Sequence, residues 1–318
     1  MFAFHVTRPF AAGGRALLGV MLLMVLGLSC GPAQAQPLTA AHMSNRYQAL
    51  RPQLLASPLG APVLVSSVEE GDLVRGEIHA LLGHGFDGLA ATLSQPREWC
   101  PIVLLHLNVK TCTHERGGGM DWLTVYNGRK VYEPPEKAKP LRFAFSPVST
   151  GTGFLDVELR APSGPLNTHD HQISLLAIPI PEGSFVHVSY AYRSSSVSRL
   201  ATNLYLATIG RDKMGFTVVG TGRDGNPEYV GGKRGIAERN ALRYYFAVQA
   251  GLEAASLPPP QRLETALARW FALTERHPLQ LHELDWPEYL HGKRKESEEQ
   301  LKRQQVLDAA AARQPPAQ

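Results

Sequence analysis

The chain has 318 residues, 44% hydrophobic and 19% charged, enough to bury a sizeable core in one domain with an extension. Its formal net charge of +4 arises from 32 basic and 28 acidic residues that are interleaved, which leaves no electrostatic footprint of nucleic-acid binding. The basic clusters Lys233-Arg234 and Lys293-Arg294-Lys295 are each followed by carboxylates and read as solvated faces or turns.

Residues 1–35 predict a secretory signal peptide, because Arg8 and Arg15 precede an apolar run over residues 16–28 and Ala33-Gln34-Ala35 offers small residues to a peptidase. That run is shorter than the roughly 20 residues that span a bilayer, so a permanent anchor is the weaker reading. Lipidation at Cys30 is the less favoured route of export, since Gly27 stands where lipidated cysteines usually have leucine. Cleavage after Ala35 lowers the net charge to +2 and leaves Cys100 and Cys112 as the remaining thiols of a periplasmic protein. An even pair in an oxidising compartment predicts a disulfide, which would stabilise the fold by about 3 kcal/mol in the chain-entropy model. Two buried free thiols are the alternative. Zinc is disfavoured, because His106 and His114 fit no usual ligand spacing.

Residues 36–62 read as a helical or linking segment. From residue 63 to residue 192 apolar side chains recur mostly at every second position, the pattern of half-buried antiparallel strands. Residues 63–68 and 73–82 predict a hairpin around Glu69-Glu70-Gly71-Asp72, with Val74, Ile78, Ala80 and Leu82 on one face and Arg75, Glu77 and His79 on a solvent face. Phe86, Leu89, Ala90 and Leu93 then repeat at helical spacing up to Pro96. Residues 122–126 and 130–133 flank Asn127-Gly128, a dipeptide that favours a tight hairpin. Leu141, Phe143 and Phe145, and then Leu155, Val157 and Leu159, alternate with polar residues. Residues 172–180 and 185–193 complete the meander through Pro181-Glu182-Gly183-Ser184.

Residues 198–209 are compatible with a helix or an irregular strand, and the glycine-rich residues 220–232 read as a mobile loop. A long amphipathic helix follows over residues 235–255, with Ala237, Ala241, Tyr244, Tyr245, Val248 and Leu252 in one stripe. Pro258-Pro259-Pro260 ends it. Beyond it, Leu263, Leu267, Trp270, Phe271 and Thr274 mark a helix with an aromatic face to bury. Pro287 opens a charged helix in which Glu298 with Lys302 and Glu299 with Arg303 have supportive spacing. Residues 309–318 read as frayed or disordered.

This order of elements resembles the START-like, or helix-grip, family of lipid and hydrophobic-ligand binding domains over about residues 63–257. The segment GEIHALLGHGFDGLAATLSQPREW, Gly76 to Trp99, looks like the strand, short helix and tryptophan-ended second helix of that family, and RGIAERNALRYYFAVQAGL, Arg234 to Leu252, stands in the place of its closing helix. The resemblance implies an α+β fold in which a curved antiparallel sheet wraps on a long helix, here followed by a helical extension over residues 258–318. The chain departs from a minimal member in its insertion over residues 194–233 and in that extension.

Such a fold encloses a volume that side chains do not fill, and hollows of this kind take apolar ligands. Leu155, Val157, Leu159, Val186 and Val188 are expected to supply hydrocarbon walls, and Tyr190, Tyr192, Tyr244 and Tyr245 rings with orienting hydroxyls, with plain core packing as the alternative for each. Arg239, Asn240 and Arg243 are distinctive, since two guanidiniums one turn apart can clamp an acidic headgroup; pairing with carboxylates of the protein is the favoured alternative. The implied ligand set is therefore Tyr190, Tyr192, Arg239, Arg243 and Tyr244.

No nucleophile elbow, phosphate loop or zinc-protease helix is legible, and no cofactor is implied. His169-Asp170-His171 reads as a polar hairpin loop rather than a metal site, and Glu77 with His79 as surface pairing rather than an acid and base. The leading expectation is a periplasmic protein that binds a lipid or other hydrophobic small molecule. A cyclase-like or hydrolase-like enzyme with the same cavity is the alternative, and an inward-facing acid and base pair would put it first. A third reading has residues 258–318 dock a protein partner on the sheet domain.

Overall fold

The structure, a computed structural model, describes residues 39–149, 153–207 and 213–313. The expected signal peptide and Cys30, Ile209, and residues 314–318 of the expected frayed end lie outside the described residues.

Helix α1 (Ala40–Leu55) starts at Thr39, whose hydroxyl accepts from the His42 backbone N–H. Strands β1 (Val63–Glu70) and β2 (Leu73–Leu82) form the expected hairpin, turning at Gly71 with φ 61°. Helices α2 (Phe86–Leu93) and α3 (Pro96–Leu104) follow; Pro96 opens α3 in its first turn, where a missing N–H leaves no bond unmade. A six-strand meander comes next: β3 (Val109–Gly117), β4 (Met120–Asn127), β5 (Lys139–Ser149), β6 (Leu155–Ser163), β7 (His169–Ile180) and β8 (Gly183–Arg193). Helix α4 (Ser196–Ala207) and a small hairpin of β9 (Val218–Thr221) and β10 (Pro227–Tyr229) lead into the long α5 (Gly232–Ala255). The extension comprises α6 (Pro259–Thr274), α7 (Pro278–Leu281) and α8 (Trp286–Ala311).

The main sheet runs β1-β2-β8-β7-β6-β5-β4-β3, with every neighbouring pair antiparallel. Its inner face packs with α2, α3 and α5 into one hydrophobic core that includes Ile78, Leu123, Leu155, Val186 and Leu242. The architecture is α+β, an eight-stranded antiparallel sheet with the long α5 packed on it and a helical extension added at its end. Cys100 on α3 and Cys112 on β3 are joined by a disulfide.

Four local expectations are corrected. Asn127-Gly128 is not a hairpin: the Gly128 N–H donates to the Asn108 carbonyl, and the Glu133 carboxylate accepts from the Arg129 backbone N–H. The turn belongs instead to Gly118 and Gly119, both at positive φ, which join β4 to the unanticipated β3. The glycine-rich stretch is not a bare loop but carries β9 and β10. The outer sheet face is not uniformly wet, because α1 lays Met43, Tyr47 and Leu54 on Leu176, Ile178 and Phe185 and buries His79 beside them. The last helix continues to Ala311, and its Arg303 pairs with Glu136 rather than Glu299.

The extension is bound into the domain. Trp270 of α6 donates to the Arg243 carbonyl and stacks on Tyr289 of α8, whose hydroxyl donates to the Leu105 carbonyl. Beneath α8, Lys110 and Lys293 share the Glu296 carboxylate at 2.8 and 2.7 Å, all three buried, and their remaining donors reach backbone carbonyls. Among the described residues no helix is long and apolar enough to cross a membrane.

Candidate ligand cavity

Helix α5 lies directly on β2: a Cβ at Gly76 would come within 2.5 Å of the Ala237 carbonyl oxygen, so only glycine lets the two backbones meet there. The helix packs mainly on β1 and β2, while α3 lies against β3 and β4, and the inner face of the middle strands lies between these contacts. A hollow of about 260 Å³ remains there. Leu123 and Val125 of β4, Leu141 and Phe143 of β5, Leu159 of β6 and Ile173 of β7 form its walls. Leu155, Val157, Val186 and Val188, expected as lining, are solid core instead, and so is Tyr245.

Polar atoms gather at one end. Tyr190 and Tyr192 of β8, His171 of β7, and Asn240 and Tyr244 one turn apart on α5 all line the hollow. A second chamber of about 470 Å³ shares Asn127, Pro165, Tyr190, Asn240 and Tyr244 with the first and adds His106 and Asn108. Its rim carries Lys137 and Lys139, both exposed, and the ion pair of Arg129 with Glu133.

The hydrogen bonds fix the protonation of both histidines. The Thr168 hydroxyl donates to the Pro165 carbonyl at 2.7 Å, so its oxygen accepts from His171 Nε2, 2.8 Å away. His171 Nδ1 is then bare and accepts from the Tyr190 hydroxyl at 3.1 Å. Gly164 makes room for this chain, since a Cβ there would lie 2.3 Å from His171 Nε2. His106 Nδ1 accepts from the Asn108 backbone N–H at 3.1 Å, which puts the proton of the neutral ring on Nε2. That Nε2 is buried and has no protein partner among the described residues, while the ring stacks on Tyr244 at 4.4 Å.

Burial pushes the His171 pKa down to about 4 and that of His106 well below the ordinary histidine value, and it pushes Tyr190 and Tyr244 up. All four rings are neutral near pH 7.

Of the residues expected to bind ligand, the structure brings Tyr190, Tyr192 and Tyr244 together on the hollow. Arg239 and Arg243 line neither chamber. They are clamped to the extension, where both bond Glu283 and donate to the Gln280 and Leu281 carbonyls respectively. Lys130 and Lys213 meet the same carboxylate. His171 and His106 were not legible as site residues. For His171 a signal existed, because it continues the alternation of Ile173, Leu175 and Ala177, but the bulge between His169 and Gln172, with Asp170 at φ 52°, masked the start of β7. For His106 no periodic signal exists. Asp170 pairs with Arg193, and no metal-binding group of histidine, cysteine and carboxylates occurs among the described residues. Glu77 lies near His187, and His79 stacks on His187 at 4.3 Å under α1, remote from the hollow's lining. A separate cleft of about 350 Å³ between α3, α5, α6 and α8 includes Cys100 and Cys112 but none of this polar cluster.

No protein-family model and no curated protein matches the chain. Solved structures similar to it include human StAR-related lipid transfer protein 5, at 9% identity and TM-score 0.33 over 69% of this chain and 98% of that one. Norcoclaurine synthase from Thalictrum flavum is similar at 16% identity and TM-score 0.29 over 45% of this chain and 79% of that one. A solution structure of a protein from Arthrobacter aurescens is similar at 11% identity and TM-score 0.30, over 59% and 91% of the two chains.

Proposed function

We propose that the protein is exported to the periplasm and there binds, as a carrier or sensor, a lipid or other hydrophobic small molecule in the hollow between the sheet and α5. The observation that carries this reading is the hollow itself, hydrocarbon on most sides with a few neutral polar groups at one end. The disulfide between Cys100 and Cys112 and the leader-like residues 1–35 support an oxidising, extracytoplasmic setting.

The inward-facing pair of His171 and Tyr190 favours the second reading, an enzyme. Acid and base catalysis works best when the groups titrate near the operating pH. Burial here moves the two in opposite directions, a histidine that resists protonation beside a phenol that resists ionisation. The pair therefore holds a hydrogen-bond pattern better than it moves a proton, and binding stays ahead of catalysis.

Mass spectrometry of the apolar extract of protein purified from periplasm tests the proposal. One enriched class of lipid or small molecule, recovered chemically unaltered after incubation with the protein, is the expected result. An empty protein that also fails to take up a neutral apolar dye would overturn it.

A further inference from the structure

Resting on that reading, we infer that the polar end of the hollow selects an apolar ligand with an uncharged head that both donates and accepts hydrogen bonds, such as an alcohol, over a carboxylate or phosphate head. The inner groups are matched to such a head. Tyr190 has spent its proton on His171, so its oxygen offers the hollow an acceptor and no donor. Asn240, which lines both chambers, carries one donor and one acceptor group and makes no side-chain bond among the described residues.

Among the described residues no charged side chain lines the inner hollow. Buried charge needs a partner, and a carboxylate drawn in beside neutral rings would find none. The cations that would offer one are elsewhere: Arg239 and Arg243 are held by Glu283, and Lys137 and Lys139 stand exposed at the outer rim, where solvent and salt weaken their pull.

The test uses the full chain loaded with the neutral dye phenylnaphthylamine, displaced by decanol, by its methyl ether, which accepts but does not donate, and by decanoate at pH 7. Decanol should displace the dye at about five- to tenfold lower concentration than the ether, the equivalent of one hydrogen bond. Tyr190→Phe should abolish that difference, and Asn240→Leu should weaken decanol by about fivefold, with the dye's affinity for each variant measured directly. Asn240→Leu guards against misfolding, since the Asn240 side chain makes no hydrogen bond among the described residues that the substitution would remove. Equal affinity for decanol and the ether, or tighter, salt-sensitive binding of decanoate, would overturn the inference while the cavity stands. Failure of the dye to bind at all would overturn the cavity reading and this inference with it.

Discussion

At the scale of the residue, Glu283 shows how an apparent headgroup clamp becomes an internal lock. Its carboxylate gathers Arg239 and Arg243 from α5, Lys130 from the segment after β4 and Lys213 from the segment before β9, and so holds α7 against the domain. Burial alone would raise its pKa, but Lys130 and the two guanidiniums outweigh this and hold it at about 2. The folded value is below the ordinary 4.5, so the stability this residue contributes is complete above pH 4.5 and is lost as pH falls through about 2. Glu283→Gln keeps the shape and leaves four cations facing one another. We expect it to cost about 3 kcal/mol or more at pH 7, as for breaking a buried ion pair, and to flatten the acid slope between pH 4.5 and 2 in urea titrations. A variant as stable as the parent, with the same acid slope, would show that the lock contributes nothing.

At the scale of the element, the extension solves a problem created by the sheet. Strand β3 is the last in the order and would present unpaired backbone groups to solvent or to another chain. Helix α8 covers it with side-chain amides: Gln300 accepts from the Cys112 N–H, and Gln304 both accepts from the His114 N–H and donates to the His114 carbonyl, all at 2.8 Å. The spacing explains the fit, because four helical residues advance about 6 Å and two strand residues about 6.7 Å. Two glutamines one turn apart thus imitate a missing strand. Replacing both by alanine should lower stability by about 1 kcal/mol for each bond lost and increase self-association, read by urea titration and sedimentation velocity. Unchanged stability and unchanged sedimentation would mean that the edge is protected by other means.

At the scale of the whole molecule, β1 and β2, the strands from β5 to β8, the long helix and the two longer helices after it were legible because each follows from local periodicity and from proline or glycine at a boundary, whereas β3 was not. What was not legible depends on partners distant in sequence. Nothing near His79 announces that α1 will cover it, nothing near Arg243 names Glu283, and His106 acquires its neutral, one-donor state only from Asn108 and from burial under α5. The same burial has a global consequence. His79 is pushed down to about 3 and His171 to about 4, chiefly by burial, and His106 and His187 are lowered for the same reason. In the unfolded chain each would take up a proton below about pH 6.5, whereas in the folded protein each resists until the pH is lower. The unfolded state therefore binds more protons throughout that interval, and the free energy of unfolding must fall as pH drops from 6.5 toward 4. The slope is on the order of 1 kcal/mol per pH unit for each histidine that stays neutral, and the loss begins above the window in which Glu283 titrates. His79→Phe, which keeps a flat ring against His187 and Phe185 but has no proton to bind, should make the curve shallower in this range without moving the Glu283 step. Urea midpoints that stay constant from pH 7 to pH 4 would mean that these histidines meet water in the native state, and the packing of α1 on the sheet would then have to be looser than described.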